Sequence, residues 1–169
     1  SVESRLKADV PVGIFLSGGL DSTIIAAIAA KTLGGGRTHT FSIGFEEDAF
    51  NEANDAKRIA GHLATRHHEL YVSAKDALEC IPKLSQIYDE PFADSSQVPT
   101  YLLSKMAREN ISVALSGDGG DEAFAGYNRY LMAGKITRFN QLMPKSGRLA
   151  ASKLIQAVDP EFWDRLFGL

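Results

Sequence analysis

Pro11-Val12-Gly13-Ile14-Phe15-Leu16-Ser17-Gly18-Gly19-Leu20-Asp21-Ser22 is the stretch on which the architecture of this chain turns. Val12 to Leu16 is a short apolar run rich in strand formers, too compact for a helix. Ser17-Gly18-Gly19 removes side chains where the backbone must turn sharply. Thr23-Ile24-Ile25-Ala26-Ala27-Ile28-Ala29-Ala30-Lys31 then reads as a helix, apolar almost all round and therefore buried. Strand, glycine turn and buried helix together aim unpaired N–H groups at an anion. Gly18 and Gly19 let the main chain approach a phosphate, and the hydroxyls of Ser17 and Ser22 can donate as well. No Gly-Lys-Ser/Thr follows, so this is not a Walker A loop. An ordinary tight turn between a strand and a helix is the plain alternative.

Asp21 sits where a phosphate would lie. Two neighbouring anions repel unless a cation bridges them, so the acid implies Mg²⁺.

Outward from this stretch, Ser1 to Asp9 is a polar helical turn or two that begins abruptly, like the cut edge of a longer protein. Gly34-Gly35-Gly36 stops the first long helix. Thr38 to Phe45 alternates as a strand, and Asn51 to Ala64 follows as an amphipathic helix with Ala53, Ala56, Ile59, Ala60 and Leu63 inward. His67 to Val72 is a third strand; Ser73 caps a helix carrying Ala77, Leu78 and Ile81, which Pro82 should break or kink. Tyr88 to Ser96 is irregular and acidic, Val98 to Glu109 is helical, and Ile111 to Leu115 is a fourth, buried strand. Strands alternating with helices predict an α/β fold with a parallel sheet. From Tyr127 the strands stop: Leu131 to Met143 and Leu149 to Val158 are helical, and Phe162 to Phe167 begins a truncated helical region.

Composition narrows the classes. A chain of 169 residues suffices for one domain with a substantial core and a small appendage. With 18 Lys and Arg against 21 Asp and Glu, the net charge is −3, and no basic stripe suggests a nucleic-acid groove. No signal peptide and no membrane-spanning apolar run is present, so neither a membrane nor a nucleic acid is expected as partner. The single cysteine, Cys80, excludes an internal disulfide and fits a cytoplasmic protein. Inside a helix pattern, it reads as a small buried side chain rather than a nucleophile. His67 and His68, adjacent on a strand, point to opposite faces and do not readily chelate one ion.

Directly after the fourth strand comes Ser116-Gly117-Asp118-Gly119-Gly120-Asp121-Glu122, followed by helical Ala123-Phe124-Ala125. It repeats the logic of the first loop: strand, glycine turn, acid, helix. In a parallel sheet the carboxyl ends of the strands share one edge, and ligands bind where strand order reverses. Asp118, Asp121 or Glu122 can also simply cap the following helix. Their concentration beside glycines goes beyond capping alone.

Ser17 to Ser22 resembles the pyrophosphate loop, or PP-loop, of enzymes that split ATP into AMP and pyrophosphate. With Phe41-Ser42-Ile43-Gly44-Phe45, the second loop and Gly126-Tyr127, the likeness narrows. The segment from about Asp9 to Tyr130 is similar to the synthetase domain of glutamine-dependent asparagine synthetases and the related β-lactam synthetases. The resemblance implies an adenine nucleotide alpha hydrolase-like, Rossmann-like sheet with helices on both faces and strand order three, two, one, four. Residues 1–126 would form this ATP-binding core and residues 127–169 the start of the helical region. It also implies a carbon–nitrogen ligase of asparagine biosynthesis. A carboxylate, that of aspartate in the family, is activated by ATP as an acyl-adenylate and then attacked by ammonia from glutamine.

Carried over residue by residue, Ser17, Gly18, Gly19 and Ser22 would hold pyrophosphate, and Asp21 and Asp121 would bind Mg²⁺. Main-chain groups at Leu16, Ile43, Ser116 and Gly117 would contact adenosine. Asp118 stands at the position linked to adenylate formation, where asparagine synthetases usually carry Glu; the shorter side chain leaves the acceptor acid open. Asp89 to Ser96 resembles the acceptor-side loop, and reads equally as a solvated loop. The implied partners are the small acid, ammonia and a glutaminase domain of the same full-length chain; a homodimer is left open. The family's later catalytic lysine would fall beyond Leu169, Lys135 does not replace it, and the fragment alone is expected to be inactive. The alternatives are a PP-loop enzyme that amidates another acid, a tRNA-thiolating relative, for which the cysteines and basic surface are wanting, and a non-catalytic adenine-nucleotide-binding module.

Overall fold

A computed structural model describes residues 1–45, 52–90 and 93–157. In chain order the elements are α1 (Val2–Arg5), β1 (Val12–Phe15), α2 (Leu20–Leu33), β2 (His39–Phe45), α3 (Ala53–His62), β3 (Arg66–Val72), α4 (Ala74–Ile87), α5 (Gln97–Ala107), β4 (Val113–Leu115), α6 (Gly120–Phe124), α7 (Asn128–Leu142) and α8 (Lys145–Gln156). A short 3₁₀ turn, Gly35–Arg37, lies between α2 and β2. The chain divides into two compact units, Ser1–Asp118 and a second that begins at Gly119. The expected helical tail from Val158 to Leu169, with Trp163, lies outside the described residues, as do Asn51, Pro91 and Phe92.

The first unit is built on a four-stranded sheet of order β3-β2-β1-β4, and every pairing in it is parallel. This is the order expected. The reversal falls between β1 and β4, because the chain steps outward from β1 to β2 to β3 and then crosses back to the far side of β1. Side chains alternate across the sheet. Val12, Ile14 and Leu16 bury one face together with Leu6, Ala26, Ala29, Ala56 and Ala60. The alanines of α2 and α3 are small, which lets both helices lie close on the strands. On the other face Phe41 packs with Ala107 and Ile111, flanked by Phe15, Leu103 and Met106. The sheet is thus covered by helices on both sides.

Several expectations change in detail. Helix α2 is not buried all round: Ala26 and Ala29 face the core, while Ile24 is 47% exposed. A helix on the outside of a doubly covered sheet has one inward face, whatever the composition of the other. Strand β4 is shorter than expected and, as an edge strand, leaves Val113 exposed. Pro82 does not end α4, which runs through it to Ile87. Proline removes one backbone donor there, and the remaining turns are held by buried Cys80 and by a capping box in which Ser73 and Asp76 bond reciprocally. Leu78 and Ile81 of the same helix are exposed.

Candidate nucleotide site

The turn after β1 is held by its own hydroxyls. Gly18 adopts φ 89°, a left-handed conformation that glycine accepts without strain. A side chain there would also collide with α3, its Cβ coming within 2.9 Å of the Asp55 Cβ. The loop is therefore seated on the start of α3. Buried Ser22 accepts from the Ser17 N–H at 3.2 Å, donates to the Gly19 carbonyl at 3.2 Å and lies 3.0 Å from the Ser17 Oγ. Ser17 Oγ in turn accepts from the Gly19 N–H at 3.2 Å, and Thr23 donates to the Gly19 carbonyl at 2.6 Å. The hydroxyls expected to reach outward to a phosphate are thus first engaged in shaping the turn. The N-cap of α2 is Gly19, and among the described residues no side chain caps the first N–H groups of the helix.

The turn after β4 comes directly against this helix start. A Cβ on Gly117 would lie 3.0 Å from the Ser22 nitrogen and 3.1 Å from the Asp21 Cβ, so only a hydrogen fits between the two loops. Ser116 donates to the Asp118 carboxylate at 2.9 Å, which folds that acid back on its own turn. Both loops, with the carboxyl half of β2, open on a cleft of about 870 Å³. Its walls carry Leu16, Ser17, Gly19, Asp21 and Ser22 from the first loop, Ile43 from β2, and Ser116, Gly117 and Asp118 from the second. Gly18 stays beneath the loop against α3. Asp121 belongs to the second unit, in the first turn of α6, where Glu122 accepts a hydrogen bond from the Tyr127 hydroxyl at 2.6 Å.

Of the opposite wall, sequence reasoning singled out only the end of the segment Asp89 to Ser96 and missed the helix face that follows it. Ser96, Pro99, Thr100 and Leu103 line the cleft from the start of α5, and Ser42 and Glu52 join them. Positions 96, 99, 100 and 103 share one face of a helix, and that periodicity was available in the sequence. What it lacked was any sign that this face looks onto the strand ends. Ser95, in the segment expected at the acceptor side, also lines the cleft, and Asp94 is pulled below the usual carboxylate range by the Ser96 N–H that it accepts at 2.8 Å.

Three carboxylates, Asp21, Glu52 and Asp118, line the cleft, and no Lys or Arg stands among its described lining residues. An anionic ligand would meet repulsion there unless a cation came with it. Carboxylate oxygens suit Mg²⁺, which typically takes one or two of them and completes its shell with water and substrate phosphates. The donor set therefore fits that ion. Among the described residues no three acidic, His or Cys side chains form a ready-made metal centre.

The histidines lie on opposite faces of β3, as expected. His67 meets Thr40 and Ser42 on the α3 side, at 2.9 and 3.2 Å. His68 stacks on Phe41 and lies 3.1 Å from His39. Among the described residues no helix is long and apolar enough to cross a membrane.

A parallel sheet of this order, covered by helices on both faces and with a glycine turn and helix start at its reversal point, has the adenine nucleotide alpha hydrolase-like fold of the PP-loop class. The chain belongs to the asparagine synthase family, whose description "Asparagine synthase" matches residues 1–166. It is 45% identical over 154 residues to a putative glutamine-hydrolyzing asparagine synthetase 2 of Methanocaldococcus jannaschii, covering 91% of this chain and 30% of that protein. It is 37% identical over 161 residues to glutamine-hydrolyzing asparagine synthetase 1 of Bacillus subtilis, covering 95% of this chain and 25% of that one. The chain thus spans less than a third of these relatives. Among solved structures it is similar in fold to a glutamine-dependent NAD⁺ synthetase of Acinetobacter baumannii in complex with ADP. The TM-score is 0.52 at 17% identity, over 76% of this chain and 26% of that one. The NMN synthetase of Francisella tularensis gives a TM-score of 0.52 at 19% identity, over 75% and 53% of the two chains.

Proposed function

We propose that this chain is the ATP-binding part of an amide-forming ligase of the asparagine synthetase type. The observation that carries the reading is the meeting of the two loops. Gly117 touches the start of α2 at Ser22 and Asp21, so the backbone after β4 and the helix start after β1 face one cleft. Ser17, Gly18, Gly19 and Ser22 would hold the departing pyrophosphate. Leu16, Ile43, Ser116 and Gly117 would seat adenosine through the main chain. Asp21 would hold Mg²⁺, and the family resemblance adds Asp121 as a second ligand. The ion would supply charge neutralisation to the leaving pyrophosphate.

The acceptor carboxylate attacks the α-phosphorus of ATP; the bond to the bridging oxygen breaks and pyrophosphate leaves. Ammonia then attacks the acyl carbon, AMP departs with its electron pair, and loss of a proton leaves the amide. The protein's part is to orient the reactants and to stabilise the charge that develops on the phosphates. Asp118, held by Ser116, would take the part in adenylate formation that the family resemblance implies for its position. Aspartate is the proposed acid, and ammonia would come from glutamine through a glutaminase domain of the longer protein, as the relatives' names suggest.

Isotope exchange between pyrophosphate and ATP tests the reading on the longer protein. Exchange that requires aspartate and Mg²⁺ is expected. Exchange driven by a different acid would retain the ligase and change its substrate. ATP binding without exchange for any acid would leave a nucleotide-binding module.

A further inference from the structure

The net charge of −3 conceals one segment. From Ala123 to Ala157 the chain carries Arg129, Lys135, Arg138, Lys145, Arg148 and Lys153, and neither Asp nor Glu. These cations fall in α7 and α8 of the second unit. Lys135, Arg138, Lys145, Arg148 and Lys153 are all exposed, and among the described residues none of the five makes an ion pair. The acids that outweigh them lie in the rest of the chain, so the basic segment leaves no mark on the total.

On α7 the cations stand beside uncovered apolar groups. Met132, Ile136 and Phe139 are spaced by four and three residues and form one row along the helix; Lys135, Arg138 and Leu142 form the row next to it. All six are exposed, Phe139 at 63% and Leu142 at 85%. The opposite half holds Ala133, Thr137, Asn140 and Gln141 and no charge, and the Thr137 hydroxyl donates back to the Ala133 carbonyl at 2.8 Å. On α8, exposed Leu149 lies one turn from Lys145 on one side and from Lys153 on the other. Helix α4 makes a useful contrast. Its exposed Leu78 and Ile81 sit among Lys75, Asp76, Glu79 and Lys83, charges of both signs.

A face of this kind fits a partner that is apolar and diffusely anionic at once. A nucleic-acid backbone would answer the cations and give Met132 and Ile136 nothing to bury against. A folded protein surface pairs charges singly, and lysine is depleted from such contacts. An anionic phospholipid layer supplies both needs, with acyl chains just beneath a plane of phosphates. Lys135 and Arg138 can lay their stems along apolar surface and keep their charged heads at the level of those phosphates.

We infer that α7, followed by α8, is a membrane-surface element: α7 lies in the headgroup plane of an anionic phospholipid layer, with its apolar row inward and its cations on lipid phosphates. The expectation of no membrane partner rested on the summed charge and on the want of a spanning run, and neither measures a helix that lies in the surface. The inference goes beyond the ligase reading and does not depend on it.

Flotation with vesicles tests this, comparing phosphatidylcholine alone with an equal mixture of phosphatidylcholine and phosphatidylglycerol. The chain should bind the anionic vesicles only, and raising NaCl from about 0.1 M to about 0.5 M should release it. Lys135→Gln with Arg138→Gln should weaken binding about fivefold for each cation removed. Phe139→Gln should weaken it about tenfold, since the apolar row is what enters the layer. Lys75→Gln with Lys83→Gln on α4 should bind as the parent does. Circular dichroism checks that each variant keeps its helices. A folded parent that ignores anionic vesicles, or α4 variants as weak as those of α7, would overturn the inference. Single-stranded RNA bound as tightly as the vesicles, with Phe139→Gln at parental affinity for both, would make the face a polyanion site and overturn it too. So would self-association without lipid that Lys135→Gln with Arg138→Gln abolishes, which would make the face a contact between copies. The longer protein should float with the same vesicles; if it does not, its other parts cover α7 and the inference falls.

Discussion

The hydroxyl oxygens of Ser17 and Ser22 lie 3.0 Å apart across the turn that joins β1 to α2. Ser22 is buried and bonds within the turn to the Ser17 N–H and the Gly19 carbonyl, so it holds the shape of the loop. Both line the cleft, but Ser17 is exposed where Ser22 is buried. Residues of the same type therefore have different tasks. Ser22→Ala should loosen the turn and weaken ATP binding, with a stability loss of about 1 kcal/mol. Ser17→Ala should leave stability closer to the parent. Chemical denaturation beside ATP titration separates the two, and equal stability losses would contradict the division.

Gly18 combines positive φ with direct contact against α3. Gly18→Ala should cost about 2 kcal/mol, because it adds a left-handed alanine to a contact that has no room. Urea denaturation reads the loss; an unchanged midpoint would mean that the loop is not seated on α3.

Asp21→Asn should weaken Mg-ATP binding much more than adenosine binding, since only the former needs the carboxylate to hold a cation. Calorimetry with each ligand, in Mg²⁺ and in EDTA, checks this. Equal losses for both ligands would point to a misfolded loop rather than a lost metal ligand.

Gly117→Ala should push the second loop away from α2, because its Cβ would meet the Ser22 nitrogen at 3.0 Å and the Asp21 Cβ at 3.1 Å. The sheet itself would be spared. The expected outcome is lost ATP affinity with nearly parental thermal stability; retained affinity would show that the two loops act separately.

Acid should destabilise the fold through two histidines. Burial is the first cause that holds both His39 and His67 below the ordinary histidine range; His68 and Arg66 add to it at His39. A histidine whose folded pKa is depressed leaves the unfolded chain binding more protons, so stability is full above the unfolded value of about 6.5 and declines as pH falls below it toward the folded values. Thermal unfolding should show this decline on acidification from neutrality, with a shallower slope in His67→Gln. An unchanged slope in that variant would remove His67 from the account.

Much of the architecture was legible in the chain because it rests on local signals. The compact apolar run at Val12–Leu16, the alternation of Thr38–Phe45, the alanine stripe at 53, 56 and 60 and the glycines at 18 and 34 each express a short-range rule. The strand order and the loop roles came from resemblance, and the sheet has that order. Helix α2 and strand β4 were expected to be more buried than they are, because hydrophobic composition does not say which flank of an element will find a partner. The wall from Pro99 to Leu103 was hidden for a related reason: its helical period names a face without naming what the face meets.

By itself, then, the sequence determined the elements, their alternation and the glycine–acid turns, since these depend on neighbours along the chain. Tertiary structure alone decided that Gly117 closes on Ser22 and Asp21 and that His67 reaches Ser42 on the neighbouring strand. Those relations depend on strand register and helix seating, where a shift of one residue would turn each side chain to the opposite face.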